Sequence, residues 1–232
     1  MDELSAIVVA AGSSSRFLKS AGERFSNLPS KTMIEWNGKP LLHHTLEALS
    51  VLPLREVIIV TRDEDRAFVS EKISSFRPKF PILWAPGGAR RQDSVRNGLA
   101  NVNTDCKRVF VHDGARPFLD AQFLKQLYSR SLEAPALIPV LPMVETLKEV
   151  DESGAVVRTH PRARFVRVQT PQFFEYALLR RAHDRYADSA EEFTDDAAMV
   201  EAIGTKVQTM EGHPANVKVT TLEDIKGLEI HD

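Results

Sequence analysis

Short β-branched runs and segments of helical apolar spacing take turns along this 232-residue chain, and that alternation restricts its fold more than any other feature. Ile7-Val8-Val9, Val57-Ile58-Ile59-Val60, Ile82-Leu83-Trp84, Val109-Phe110-Val111 and Ala136-Leu137-Ile138 read as buried strands. Between them, Leu41-Leu42-Thr45-Leu46-Leu49, Phe68-Val69-Ile73, Val95-Leu99 and Phe123-Leu124-Leu127 carry helical spacing. An α/β fold with a mostly parallel, doubly wound sheet is the economical expectation. Such sheets bind ligands beyond the carboxyl ends of their strands, where Gly12, Gly87-Gly88 and Asp113 all fall.

The first strand runs into Ala10-Ala11-Gly12-Ser13-Ser14-Ser15-Arg16. Small residues let backbone approach a ligand, successive N–H groups can form an anion-binding concavity, and Arg16 adds a permanent charge. A nucleotide or other polyphosphate is the ligand this turn suits. Only Gly12 stands where a dinucleotide-binding turn wants three glycines, which disfavours a redox Rossmann protein. Ser30-Lys31-Thr32 lacks the glycine that a Walker loop places before its lysine.

A formal net charge of −2 gives no bulk pull toward nucleic acid or membranes, so an anion site must be built locally. Cys106 is the only cysteine, which rules out an intrachain disulfide and is compatible with a reducing compartment. The first apolar run is too short for a signal peptide or membrane span, so a soluble cytoplasmic protein is expected.

After Pro139 the pattern changes. Val140–Val150 and Ala155–Val168 read as extended segments around the turn Asp151-Glu152-Ser153-Gly154, a projecting β-arm over 139–170 of one domain spanning 1–232. A two-stranded arm is marginal alone, so packing on a partner subunit is expected. Helices follow near Tyr176–Tyr186 and Asp195–Ile203, then a strand at Lys206–Met210 and a helix opened by Thr220-Thr221-Leu222-Glu223.

Several clusters can carry chemistry. Arg16 and Lys31 flank a polar stretch that can fold over a triphosphate and offset charge growing at phosphorus. Pro86-Gly87-Gly88-Ala89 opens a helix and lets backbone meet a flat ligand such as a nucleobase, with Ser94 offering a hydroxyl; Asp93 or Ser94 serving only as a helix cap is the other reading. Asp113, just beyond a buried strand, can orient a hydroxyl or contribute to Mg2+ binding, and Arg116 can hold an anion or simply pair with that acid. Thr146 and Arg162 on the arm can grip a phosphate, or decorate a hairpin surface. Phe193-Thr194-Asp195-Asp196 resembles a helix N-cap with an acidic first turn. Lys218 lies just ahead of the last helix.

Taken in order, A-A-G-x-x-x-R, the loop lysine, G-G-x-x-R-x-D-S-V, V-H-D-G-A-R-P, E-T-x-K, Q-T-P-Q-x-F, T-D-D-A and N-x-K-V-T resemble the 2-C-methyl-D-erythritol 4-phosphate cytidylyltransferases of the non-mevalonate isoprenoid pathway. The resemblance implies a Rossmann-like nucleotidyltransferase fold, a homodimer with exchanged arms, and transfer of CMP from CTP to a sugar-alcohol phosphate with release of pyrophosphate. It implies Mg2+ held mainly by the CTP phosphates, with no protein ligand assigned. Arg16 and Lys31 would stabilise the transition state. Ala10, Ala11, Gly12 and Ser13 would line the nucleotide loop, Gly88, Ala89 and Ser94 would select cytosine, and Asp113 and Gly114 would complete the nucleotide site. Asp113 and Arg116 would meet the erythritol hydroxyls, while Arg162 and Lys218 would position the acceptor phosphate, with Thr146 and Arg162 reaching across from the partner subunit. The segment from Arg16 to Lys31 is longer than usual in the family, and Ser30-Lys31-Thr32 stands where Pro-Lys-Gln is common. The rival readings are a ribitol 5-phosphate cytidylyltransferase and a non-catalytic nucleotide-binding protein.

Overall fold

The computed structural model describes residues 4–12, 17, 25 and 27–226. β1 (Leu4–Val9) is followed by a small ribbon, β2 (Glu35–Trp36) and β3 (Lys39–Pro40), whose turn residues Asn37 and Gly38 both have positive φ, as a tight type I′ connection demands. Then come α1 (Leu41–Leu49), β4 (Leu54–Thr61), α2 (Arg66–Lys72), β5 (Ile82–Pro86), α3 (Arg91–Leu99), β6 (Arg108–Asp113), α4 (Ala121–Ser131) and β7 (Ala136–Pro142). The expected alternation is present, strand for strand. The remainder comprises β8 (Leu147–Val150), β9 (Val156–His160), β10 (Val166–Val168), β11 (Gln172–Glu175), α5 (Tyr176–Arg185), α6 (Asp196–Ala202), β12 (Gln208–Glu211) and α7 (Leu222–Lys226).

β1 lies between β4 and β6, parallel to both, and β5 extends the sheet beyond β4. β11 enters antiparallel between β6 and β7, and β12 pairs parallel with β7. β10 also pairs antiparallel with β7, so the sheet is mostly parallel with two reversed strands, β10 and β11, a Rossmann-like α/β arrangement. Its double winding is visible in the side chains. Ala6, Val8, Ile59 and Phe110 face a core with Leu42 and Leu46 of α1 and Leu124 of α4, while Ile7, Ile58, Val60 and Val111 face one with Val95 of α3, Leu179 of α5 and Val200 of α6. Strict alternation within strands buried on both faces is what the uniformly apolar runs encode.

The arm differs from a single continuous ribbon over 139–170. Pro139–Pro142 are still main-sheet strand in β7, and β10 returns to pair with Val140–Pro142. Only β8 and β9 form a separate hairpin, and Val150, Val156 and Val157 on it are exposed. At the last helix the carboxylate closing the first turn is Asp224, not Glu223: Asp224 Oδ2 accepts from Thr220 N, Thr220 Oγ1 and Thr221 N at 2.6, 2.8 and 2.8 Å. Among the described residues no helix is long and apolar enough to cross a membrane.

Candidate active site

Three strand ends converge on one cavity of about 680 Å³. The first wall is Ala10-Ala11-Gly12, leaving the sheet after Ala10 N donates to Val60 O at 2.8 Å. Ser13 and Arg16, expected on the same turn, lie outside the described residues.

The second wall is the turn from β5 into α3. Gly87 N donates to Thr61 O at 2.8 Å, and a Cβ on Gly87 would stand 2.7 Å from Ala11 Cβ, so glycine is what lets the two turns approach. Gly88 N donates to Ser94 Oγ at 2.9 Å. Asp93 closes the first turn of α3, accepting from Arg90 N at 3.1 Å and from Arg90 Nη2 at 2.8 Å. The division of labour is thus resolved: Asp93 caps, whereas Ser94 fastens the glycine turn and lines the cavity with Gly88 and Ala89.

Asp113, at the carboxyl end of β6, forms the third wall. Its Oδ2 lies 3.0 Å from Lys218 Nζ and 3.2 Å from Arg116 Nε. Burial alone would raise this carboxyl, but Lys218, Arg91 and Arg116 outweigh it and hold Asp113 well below the usual carboxylate range. Arg116 is itself buried, does not line the cavity, and donates from Nη1 to Asn216 O at 2.9 Å. The plain ion-pair reading of Asp113 and Arg116 is therefore realised, with Lys218 added to it. Gly114, expected at the nucleotide, instead packs beneath the wall: its N–H donates to Val9 O at 3.0 Å.

Below Asp113, His112 is fully buried. Its Nδ1 lies 2.9 Å from Thr170 Oγ1 and its Nε2 3.2 Å from Arg116 O. A carbonyl can only accept, so Nε2 carries the proton and Nδ1 receives the threonine hydroxyl. Burial pushes this imidazole down to about 4, so it is neutral near pH 7. Thr170 Oγ1 also accepts from Asp113 N at 3.1 Å, and Thr170 O accepts from Asn216 Nδ2 at 2.8 Å. Gln169 adds contacts to His213 and Asn216. The Gln-Thr-Pro motif is thus a brace that presents Asp113 and Lys218 side by side.

Lys31 lines the cavity from a single 3-10 turn, Lys31–Met33, anchored by Met33 in the core. Thr146 and Arg162 stand on the exposed arm rather than in their own chain's cavity wall, with Arg162 Nη1 donating to Val144 O.

Cations that sequence reasoning passed over complete the site. Arg62, Arg90 and Arg91 line it together with Asp63 and Glu64. Arg91 Nη1 reaches fully buried Asp196 Oδ2 at 2.7 Å, and His183 Nε2 lies 3.3 Å from Asp196 Oδ1. Burial opposes the Arg91 charge, but Asp196 and Asp113 outweigh it and raise the guanidinium above its ordinary value. The Thr-Asp-Asp motif therefore supplies both a cap, Asp195 Oδ1 accepting from Ala198 N at 2.9 Å, and a buried counter-ion for a cavity arginine. Among the described residues, five cations and three carboxylates line the cavity, an excess of positive charge that suits a polyanion.

Comparison with known proteins agrees with this geometry. Residues 4–230 match the family model described as IspD: 2-C-methyl-D-erythritol 4-phosphate cytidylyltransferase. A 2-C-methyl-D-erythritol 4-phosphate cytidylyltransferase of Caldanaerobacter subterraneus subsp. tengcongensis is 33% identical, over 98% of this chain and 97% of that protein. A bifunctional enzyme IspD/IspF of Solidesulfovibrio magneticus is 38% identical over 96% of this chain, which spans only 55% of that relative. The crystal structure of a 4-diphosphocytidyl-2C-methyl-D-erythritol synthase from Anaerococcus prevotii superposes with a TM-score of 0.82 at 27% identity, covering 99% of this chain and 98% of that one.

Proposed function

Because the chain belongs to the 2-C-methyl-D-erythritol 4-phosphate cytidylyltransferase family and is a cytidylyltransferase of isoprenoid biosynthesis, we propose how its residues divide the work of transferring CMP from CTP. The acceptor phosphate oxygen attacks the α-phosphorus of CTP, forming one P–O bond as the bond to pyrophosphate breaks. The attacking oxygen is already anionic, so the step needs charge stabilisation and alignment rather than a general base. The observation that carries this reading is the cavity lining: cations surround it, its Asp113 carboxylate is bound by Lys218 and Arg116, and the nearby His112 is neutral and engaged.

Backbone groups of Ala10, Ala11, Gly12, Gly88 and Ala89, with Ser13 and the Ser94 hydroxyl, receive the nucleotide. Lys31 and Arg16 offset the charge that grows on the transferring phosphoryl group. Lys218, held by Asp113, orients the acceptor phosphate, and Asp113 meets the acceptor hydroxyls with Arg116 fixing its position. Thr146 and Arg162 grip the acceptor from a partner subunit, which makes the working unit a homodimer built on the β8–β9 hairpin and the residues that flank it. Mg2+ carried on the triphosphate would supply charge neutralisation at the leaving oxygens, and Asp113, which lines the cavity, is the carboxylate that would face it. The enzyme works in the cytoplasm on small anionic substrates, without nucleic acid or membrane.

Pyrophosphate release with CTP and Mg2+, comparing 2-C-methyl-D-erythritol 4-phosphate with ribitol 5-phosphate, tests the assignment. Release is expected with the methylerythritol compound. Preference for ribitol 5-phosphate overturns the substrate, and CTP binding without release from either overturns catalysis.

A further inference from the structure

Arg62 lines the cavity at the end of β4, yet its donors are turned toward protein. Nε donates to Asp65 Oδ2 at 2.6 Å, Nη2 donates to Pro29 O at 2.9 Å, and Nη1 stands 3.6 Å from Glu64 Oε1. Asp65 is nearly buried, so the guanidinium is fixed from behind by a charge-assisted bond. Pro29 lies two residues before Lys31, in the bend that leads into the turn that carries it. That approach is short and constrained: Ser30 Oγ and Thr32 Oγ1 lie 2.5 Å apart, Met33 N donates to Ser30 O at 3.0 Å, and Met33 is inserted in the core. A bond to Pro29 O therefore acts on the placement of Lys31 with little slack between.

From this geometry we infer that Arg62 is a positioning residue, a latch from β4 to Pro29 that sets where the Lys31 ammonium stands over the triphosphate. The inference rests on the role assigned above to Lys31. It does not place Arg62 on substrate, since its Nε and Nη2 are already committed to Asp65 and Pro29. Lysine in its place carries the charge as a single point and cannot span both partners as the planar fork does. Asp65→Asn weakens the anchor while leaving the guanidinium in place.

The test is a double-mutant cycle between Arg62→Gln and Lys31→Ala, reading kcat, the CTP dissociation constant and the melting temperature of each protein. Arg62→Gln is expected to lower kcat by about 10- to 100-fold, the scale of a small misplacement of a catalytic group. Its CTP affinity is expected to stay within about 2-fold, because the lost effect falls on the transition state. Arg62→Lys recovers part of kcat, and Asp65→Asn loses part of it. In a Lys31→Ala background, Arg62→Gln has no further effect on kcat. Should Arg62→Gln melt early, Asp65→Asn serves in the same cycle. The same fold loss in both backgrounds overturns the latch, since Arg62 would then act independently of Lys31. So does a wild-type kcat in a folded Arg62→Gln protein beside a crippled Lys31→Ala protein. Wild-type turnover in Lys31→Ala overturns the reading of the site itself and the latch with it.

Discussion

His112 and Asp113 are consecutive on β6 and hold opposite preferences for charge, each for its own physical reason. Asp113 keeps its charge because Lys218, Arg91 and Arg116 overcome burial, whereas His112 loses its charge because burial meets no comparable anion in contact. The histidine sets a pH dependence whose sign is fixed. Below the ordinary imidazole value of about 6.5 the unfolded chain takes up a proton that the folded chain refuses until about 4, so stability falls as pH drops through that window. The loss is on the order of 3 kcal/mol for this one group. Thermal melts between pH 6.5 and 4.5 are expected to show a steeper decline in the wild type than in His112→Gln, which carries no titrating ring. At the same scale, Lys31→Ala is expected to lower kcat by about 100-fold while changing CTP affinity little, as loss of a transition-state charge does. Steady-state rates beside calorimetric CTP titration check it. Asp113 was legible in the sequence because an acid just past a buried strand faces the ligand end of a parallel sheet. Arg91 and Arg62 were not, because an arginine near a helix start looks solvated until folding brings Asp196 or Pro29 against it.

Among elements, the turn from β5 into α3 shows how closely local sequence can specify a binding wall. A Cβ on Gly88 would collide with Asp93 Cβ and lie 3.0 Å from Ser94 N, so the N–H bond to Ser94 requires a bare backbone. Gly88→Ala is expected to cost about 1–3 kcal/mol of stability by overpacking and to raise the KM for CTP, checked by denaturant titration and initial rates. Strand and helix identities were readable across the doubly wound half because period-2 and period-3.6 patterns answer to burial alone. The arm's limits were not. Val140 and Val168 carry the same extended pattern in sequence as the hairpin residues, and only their pairing in the main sheet distinguishes them. Gln169 and Thr170 likewise fall within the stretch read as arm, although both are buried and join β6 to the segment bearing Lys218. Their function is to hold other residues, which no local pattern announces.

For the molecule as a whole, the β8–β9 hairpin is the part that a single chain explains least. Val150, Val156 and Val157 are 55%, 60% and 62% exposed on an element that, as two strands, has little stability alone. In the homodimer proposed above, a second copy would cover those valines, and Thr146 and Arg162, which stand off their own cavity, would serve the partner's. On that proposal the site is assembled from two chains, one giving Lys31 and the other Arg162. Arg162→Ala and Lys31→Ala homodimers are then each defective at both sites. In a heterodimer of the two, the Lys31-bearing chain meets the Arg162-bearing arm of its partner at one site, and both lesions fall at the other. By the two-fold symmetry of the pair, such heterodimers are expected to show about half of wild-type activity. Co-expression with two affinity tags isolates them, and pyrophosphate release measures the recovery. If Arg162 served its own chain, every site would carry one lesion and the purified heterodimer would stay as inactive as its parents. Val157→Glu, which sets a charge among the exposed valines, is expected to shift sedimentation toward the monomer and abolish the rescue together.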